Sequence, residues 1–244
     1  MPGAEVSTPW SHAFDPVADT FRELSPMPVP VDDSIALAYA DRYIYLVSGW
    51  HDLANVNLVQ RYDTVTDSWI QATPIPGTPL FGHAGGIVGD NIVYCDGVAV
   101  RAHADRSRDF VASAECFLGI IDPEDGRRID WRSLTPHPGA PRYRMAAVGV
   151  PELDAVLFVG GSENPYNYDG IGYDGRPSEP AAHGLLYDLG SSTWRVLQQH
   201  NEPTMDHRAL MPYGDGWSDG WLTVGGMRRG QQVTADVVRY SLRP

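Results

Sequence analysis

The feature that most limits what this chain can fold into is a short apolar run that ends at glycine and recurs four times. The runs are YIYLVSG, NIVYCDG, AVLFVGG and WLTVGG, closing at Gly49, Gly97, Gly161 and Gly226 with spacings of 48, 64 and 65 residues. Each has the length and the β-branched or aromatic content of a buried strand. Each stops where a backbone turn would crowd a side chain. A second signal keeps step with the first: a strand ending in aspartate, then an aromatic residue. Tyr62-Asp63 is followed by Trp69, Ile121-Asp122 by Trp131, Tyr187-Asp188 by Trp194 and Phe14-Asp15 by Phe21, at separations of 6, 9, 6 and 6. The aspartate caps a tight turn through its own backbone, and the ring buries a large area between neighbouring sheets. The C-terminal VVRYSL sets Tyr240 past Gly226 much as Tyr62 follows Gly49. No capped helical pattern runs beyond about two turns.

Short strands repeating with a glycine-ended second strand and an aromatic opening the fourth are the pattern of a propeller blade. The units resemble kelch repeats, which pair a strand ending in Gly-Gly with a Tyr-Asp turn and a Trp. Gly160-Gly161 and Gly225-Gly226 keep both glycines, while Ser48-Gly49 and Asp96-Gly97 keep one. The resemblance covers nearly the whole chain. It implies an all-β, kelch-type β-propeller of four-stranded antiparallel blades in a single domain over residues 1–244, with blades starting near Ser34, His83, Arg144 and Arg208. Six blades are usual in the family, and four are recognisable here. Strands from both termini are expected to close the ring, residues 1–33 completing the last blade. Both FDPVADTF and VVRYSL read as third strands, so either one is spare or the chain is a piece of a larger propeller.

Composition removes several function classes. Lys and Arg number 18 against 31 Asp and Glu, a net charge of −13, which repels phosphate backbones and argues against nucleic acid as a partner. No run approaches the ~18 apolar residues of a membrane span. The opening MPGAEVSTPWSHAFD has neither a basic stretch nor an apolar run of the signal-peptide kind. The expectation is a soluble cytoplasmic protein with Cys95 and Cys116 reduced, a periplasmic location staying open if the N-terminus is incomplete. No zinc spacing or calcium-loop pattern occurs, so no metal or cofactor is expected.

Residues 162–180, SENPYNYDGIGYDGRPSEP, contain Gly170, Gly172 and Gly175 in a G-x-G-x-x-G arrangement. A dinucleotide fingerprint needs a helix N-terminus facing the pyrophosphate. Pro177 and Pro180 oppose a helix there, so the stretch reads as a long insertion, 162–183, between two strands. The stretch 98–117 is another. Long loops on a rigid scaffold often carry function, and this one holds Glu163, Asn164, Tyr166, Asn167, Tyr168 and Tyr173. Aromatic faces and amides of this kind bind sugars; equally, tyrosines can fold down to cover a blade.

The first strands of the four units align Ser34, His83, Arg144 and Arg208, with Asp33, Gly82, Tyr143 and His207 before them and Asp32, Phe81, Arg142 and Asp206 before those. First strands line a propeller's channel, so these residues surround one mouth. Arg142, Arg144 and Arg208 would bind a carboxylate bidentately, and His83, His207, Asp206 and Glu163 would carry protons. The competing reading is that the arginines pair with aspartates of neighbouring blades and brace the ring. Among kelch propellers, the bacterial N-acetylneuraminate epimerases (sialate mutarotases) are the nearest functional resemblance, implying a polar or acidic sugar at the mouth. None of their catalytic residues is carried over by motif. The alternative is a non-enzymatic protein-binding module using the 98–117 and 162–183 loops. Oligomeric state is not legible.

Overall fold

The computed structural model describes residues 6–105, 107–199 and 201–242. Four antiparallel sheets are arranged about a common centre as the blades of a β-propeller. The first blade is formed by Ile35–Tyr39, Tyr43–Val47, Val59–Asp63 and Ser68–Ala72. Ala84–Val88, Asn91–Cys95, Cys116–Ile121 and Ile129–Leu134 make the second. The third consists of Tyr143–Val150, Ala155–Ser162, His183–Asp188 and Thr193–Gln198. Among the described residues the fourth has three strands, Met211–Pro212, Trp221–Val224 and Val237–Tyr240.

The repeated glycines do what their positions suggested. Each ends a second strand against the lead-in of its own blade's first strand. At Gly97 (φ 89°) a Cβ would lie 2.8 Å from the backbone nitrogen of His83. At Gly226 (φ 96°) it would lie 2.7 Å from the carbonyl of Met205. Neither the left-handed backbone nor the contact tolerates a side chain.

Strand faces alternate, and successive blades share apolar cores. Leu37, Tyr45 and Val47 meet Ile92, Tyr94 and Ile121 between the first and second blades. Val88 and Val93 meet Met145, Val156 and Phe158 between the second and third. Ala146, Leu157 and Leu186 meet Leu210, Trp221 and Tyr240 between the third and fourth. The outer face of the fourth blade is different: Met211, Val224 and Val237 are 43%, 56% and 60% exposed. On the far face of the first blade Ala36 and Ala38 are exposed as well. No buried apolar cluster joins those two faces among the described residues.

The expected closure by both termini is not what the sheets form. Residues Ser11–Asp15 and Thr20–Leu24 make a hairpin that pairs only with itself among the described residues. It is held to the first blade instead, where Ser25 donates to Asp67 and Val29 exchanges bonds with the Gln60 side chain. The tryptophans show which place it fills. Trp131 Nε1 donates to Thr73 O and Trp194 Nε1 to Thr135 O, each acceptor one residue past the outer strand of the preceding blade. Trp69 Nε1 donates in the same way to Ser25 O, one residue past the hairpin. The hairpin therefore stands where the outer strands of a blade before the first would stand.

The two cysteines also depart from expectation. Cys95 and Cys116 are directly opposed in adjacent strands of the second blade, Cα atoms 4.2 Å apart, and form a disulfide. The alternation of one face along both strands brings the thiols together, a pairing that spacing alone did not reveal. Disulfides persist in oxidising compartments and are rare in the cytosol, so the reduced-thiol expectation is withdrawn. No helix among the described residues is long and apolar enough to cross a membrane.

Candidate functional site

The centre of one mouth is built from the residues that lead into the first strands. Asp33, Gly82, Arg144 and Asp206 all have left-handed backbone, with φ of 51°, 62°, 58° and 70°. Three backbone bonds run through them from blade to blade: Gly82 N to Asp33 O at 2.8 Å, Arg144 N to Gly82 O at 2.8 Å, and His207 N to Arg144 O at 3.1 Å. These four positions are structurally equivalent. The sequence alignment, which paired Arg144 with Arg208 and His83, is displaced relative to the first two blades by one residue in the third blade and by one in the opposite sense in the fourth. Asparagine and aspartate tolerate left-handed backbone, arginine less so; Arg144 is held there by its partners.

Those partners are aspartates. Arg144 donates to Asp33 Oδ2 from Nε and Nη2 at 3.1 and 2.6 Å, and to Asp206 Oδ1 from Nη1 at 2.9 Å. Arg208 pairs with Asp33 and reaches Asp206 at 3.4 Å. Tyr143 donates its hydroxyl to Asp33, and the Arg144 guanidinium lies over the rings of Tyr143 and Tyr166 at 4.7 and 5.6 Å. Burial opposes the charge on Arg144, but Tyr143, Asp33 and Asp206 outweigh it and hold the guanidinium above its ordinary pKa. Two arginines and two aspartates thus close into a lattice.

Beside the lattice is a cavity of about 320 Å³. Its walls are aromatic: Trp50, Phe81, Phe110, Tyr143 and Tyr173. Its polar border is Asp32, Asp33, Arg144 and Asn167. The insertions build it. Residues 98–117 form a hairpin of Val98–Ala102 and Arg108–Ala112 that brings Phe110 against Trp50 and Phe81 at 6.0 and 5.9 Å. The 162–183 insertion brings Tyr173 to stack on Phe110 at 4.3 Å. The disulfide stands at the base of the hairpin, with Cys95 and Cys116 bracketing it.

The structure gathers some of the expected residues and scatters others. Arg144, Asn167 and Tyr173 line the cavity, and Asp206, Arg208 and Tyr166 adjoin it through the lattice and the Tyr143 ring. Arg142 turns away. Its backbone N–H donates to Asp96, which also bonds His137, and its side chain donates to His183 O. His83 is buried edge-on to Tyr94, and burial pulls its pKa down to about 4. His207 is bonded to Thr204 at 2.8 Å and is likewise pulled down to about 4 by burial. Both are neutral at pH 7. Glu163 is exposed outside the lining, Asn164 binds Asp174 within its own loop, and Tyr168 is 91% exposed. Gly170, Gly172 and Gly175 sit in turns with no helix following. Asp32 and Phe81, placed at the mouth by the sequence but given no role there, join the lining, and Trp50 and Phe110 were not foreseen as site residues. The usable signal was an aromatic directly after Gly49 and one within the 98–117 insertion. No group of three or more His, Cys, Asp or Glu among the described residues is placed to hold a metal.

No protein-family model and no curated protein matches the chain. Among solved structures, that of YjhT superposes with a TM-score of 0.73 at 13% identity, over 96% of this chain and 73% of that one. At that identity the likeness is one of fold. The chain is a β-propeller.

Proposed function

We propose that the mouth cavity binds a small polar ligand, with carbohydrate the class it fits best. The observation that carries this is the juxtaposition of three partly exposed rings, Trp50, Phe110 and Tyr173, backed by the buried Phe81 and Tyr143, with two carboxylates, an amide and a guanidinium around about 320 Å³. Rings take the C–H faces of a sugar, and planar polar groups take its hydroxyls. The volume falls within the ~300–1,000 Å³ typical of small-molecule sites.

The arginines favour a neutral sugar over an acidic one. Arg144 and Arg208 are matched by Asp33 and Asp206, and Asp32 adds a further carboxylate, so the border has no excess positive charge to attract an anion. A place among the kelch propellers is part of the same proposal, supported by the four strand–glycine units and the propeller fold. A sialate mutarotase would need an acid and a base at the ligand. The histidines lie buried outside the cavity lining, which leaves the exposed Asp32 as a carboxylate there able to move a proton, and binding is the function we propose. The protein-binding alternative is weakened because the two insertions turn Phe110 and Tyr173 toward each other and the cavity.

Saturation-transfer NMR against a panel of neutral monosaccharides and sialic acid tests this. Neutral sugars are expected to receive saturation, and Trp50→Ala or Tyr173→Ala to weaken binding about tenfold, near the ~1.4 kcal/mol at the upper end for an aromatic contact. No sugar signal, or a signal unchanged in both variants, rejects the proposal. Exchange between anomers in the same samples reports any turnover.

A further inference from the structure

A second cavity, of about 520 Å³, stands next to the one at the mouth, walled by Leu53 and Asn55 on one side and Val100 and Arg108 on the other, with Pro79 between them. Three segments supply both cavities. In the hairpin of Trp50–His51 and Ala54–Asn55, Trp50 lines the mouth cavity and its cross-strand partner Asn55 the second. In the hairpin of Val98–Ala102 and Arg108–Ala112, Phe110 lines the mouth cavity and its partner Val100 the second. On the segment that leads into the second blade, Phe81 lines the first and Pro79 the second. Residues directly opposed in a sheet share one face, their Cβ atoms about 5 Å apart. The two cavities are therefore successive stretches of one cleft, running outward from the mouth between the hairpins of the first two blades.

This cleft is fixed at its base and strapped at its rim. At the base, Phe81 and Val98 exchange backbone bonds of 3.1 and 2.9 Å, and Asn55 Nδ2 donates to Pro79 O at 2.9 Å and to Val98 O at 2.8 Å. At the hairpin tips, Arg108 Nη1 donates to Leu53 O at 2.5 Å, and the guanidinium lies 5.9 Å from the centre of the Trp50 ring. Arg108 thus stands at the seam between the two cavities. Its other N–H groups have no hydrogen-bond partner among the described residues. Phe110 and Arg108 are two residues apart on one face of their strand, about 7 Å along it, close to the length of one sugar unit.

We propose that the cleft holds an oligosaccharide, one unit in the aromatic mouth cavity and the next in the second cavity, with Arg108 hydrogen-bonding the oxygens between them. This rests on the reading of the mouth cavity as a sugar site and extends it outward. The second cavity offers what a further unit needs. Pro79, Val100 and Ala102 present apolar surface to a ring's C–H face, and Thr78 and Arg108 present groups that bond hydroxyls. The planar fork of a guanidinium spans two neighbouring oxygens. A single sugar at the mouth would leave all of this unused.

The test measures Kd by calorimetry for glucose, mannose and galactose, each beside its 1,4-linked trisaccharides: maltotriose and cellotriose, mannotriose, and galactotriose. At least one trisaccharide is expected to bind about tenfold more tightly than its monosaccharide, the scale of one charge-assisted hydrogen bond. Two adjacent rings of it are expected to receive saturation in transfer NMR. Arg108→Ala, at an exposed site, is expected to bring the ratio of the two Kd values down toward one. Trisaccharides that bind no more tightly than monosaccharides, saturation confined to one ring, or a ratio unchanged in Arg108→Ala overturns the proposal and leaves the mouth cavity a sugar site. Absence of binding by every sugar of the panel overturns both. If Arg108→Ala proves unfolded by circular dichroism, saturation of the second ring decides alone.

Discussion

Two regions share the mouth of this propeller and use similar residues to opposite ends. In the lattice, Arg144 and Arg208 are tied to Asp33 and Asp206 at or near hydrogen-bond distance. In the cavity beside it, the partly exposed rings of Trp50, Phe110 and Tyr173 and the exposed Asp32 and Asn167 border open space. Arg144 belongs to both. The difference teaches that a convergence of arginines in a sequence does not distinguish a ligand site from a brace; what decides is whether carboxylates of the same chain reach them first. A buried guanidinium with satisfied partners is scaffold, and aromatic surface left facing a void is where a ligand gains by binding.

The strongest way to break the comparison is to remove the shared residue. Arg144→Ala leaves Asp33 and Asp206 with Arg208 alone, and losing charge-assisted hydrogen bonds at this partly exposed site costs about 1.5–3 kcal/mol. Urea unfolding should show that loss. A variant as stable as the wild type would mean that the lattice does not brace the blades.

Acid should act through the histidines near the lattice. Both His83 and His207 fall from an ordinary 6.5 to about 4 in the fold, so the unfolded chain binds protons first. Their contribution is complete above pH 6.5 and is lost as pH falls from there toward 4, on the order of 3 kcal/mol for each. Unfolding free energies measured down this range should decline, and His83→Gln should flatten the decline. A slope unchanged by the substitution would place the acid sensitivity elsewhere.

The smallest effect sharpens the boundary of the cavity. Tyr168, 91% exposed, lies in the same insertion as Tyr173 but outside the lining. Tyr168→Ala should alter stability by no more than about 0.5 kcal/mol and leave sugar saturation intact. Loss of saturation would extend the site along the loop.

Much of the fold could be read from residues because its signals are local. YIYLVSG or AVLFVGG declares a buried strand and its stop within seven positions, and Tyr62-Asp63 with Trp69 declares the next turn and strand. The mouth was legible only by neighbourhood. Asp33, Arg144 and Asp206 were placed near the channel, but their pairing depends on left-handed turns that shift the register between blades. Trp50, Phe110 and Tyr173 come from three separate connections, so only the fold brings their rings together. The hairpin was misassigned because its Asp-to-aromatic spacing says which strands it resembles, and nothing in that spacing says which blade they serve.

The run of backbone bonds from Asp33 through Gly82 and Arg144 to His207 has a consequence for how such a molecule can change. It makes the mouth a collar spaced by main-chain atoms, with the Arg144–aspartate bonds holding its left-handed turn in place. The two insertions rise from that collar and supply Phe110 and Tyr173. Their exposed positions, such as Tyr168, can therefore drift or be exchanged by design, while the buried Tyr166, packed on Tyr143, ties the longer insertion to the frame, which makes this a scaffold on which new specificities can be grafted at the loop tips.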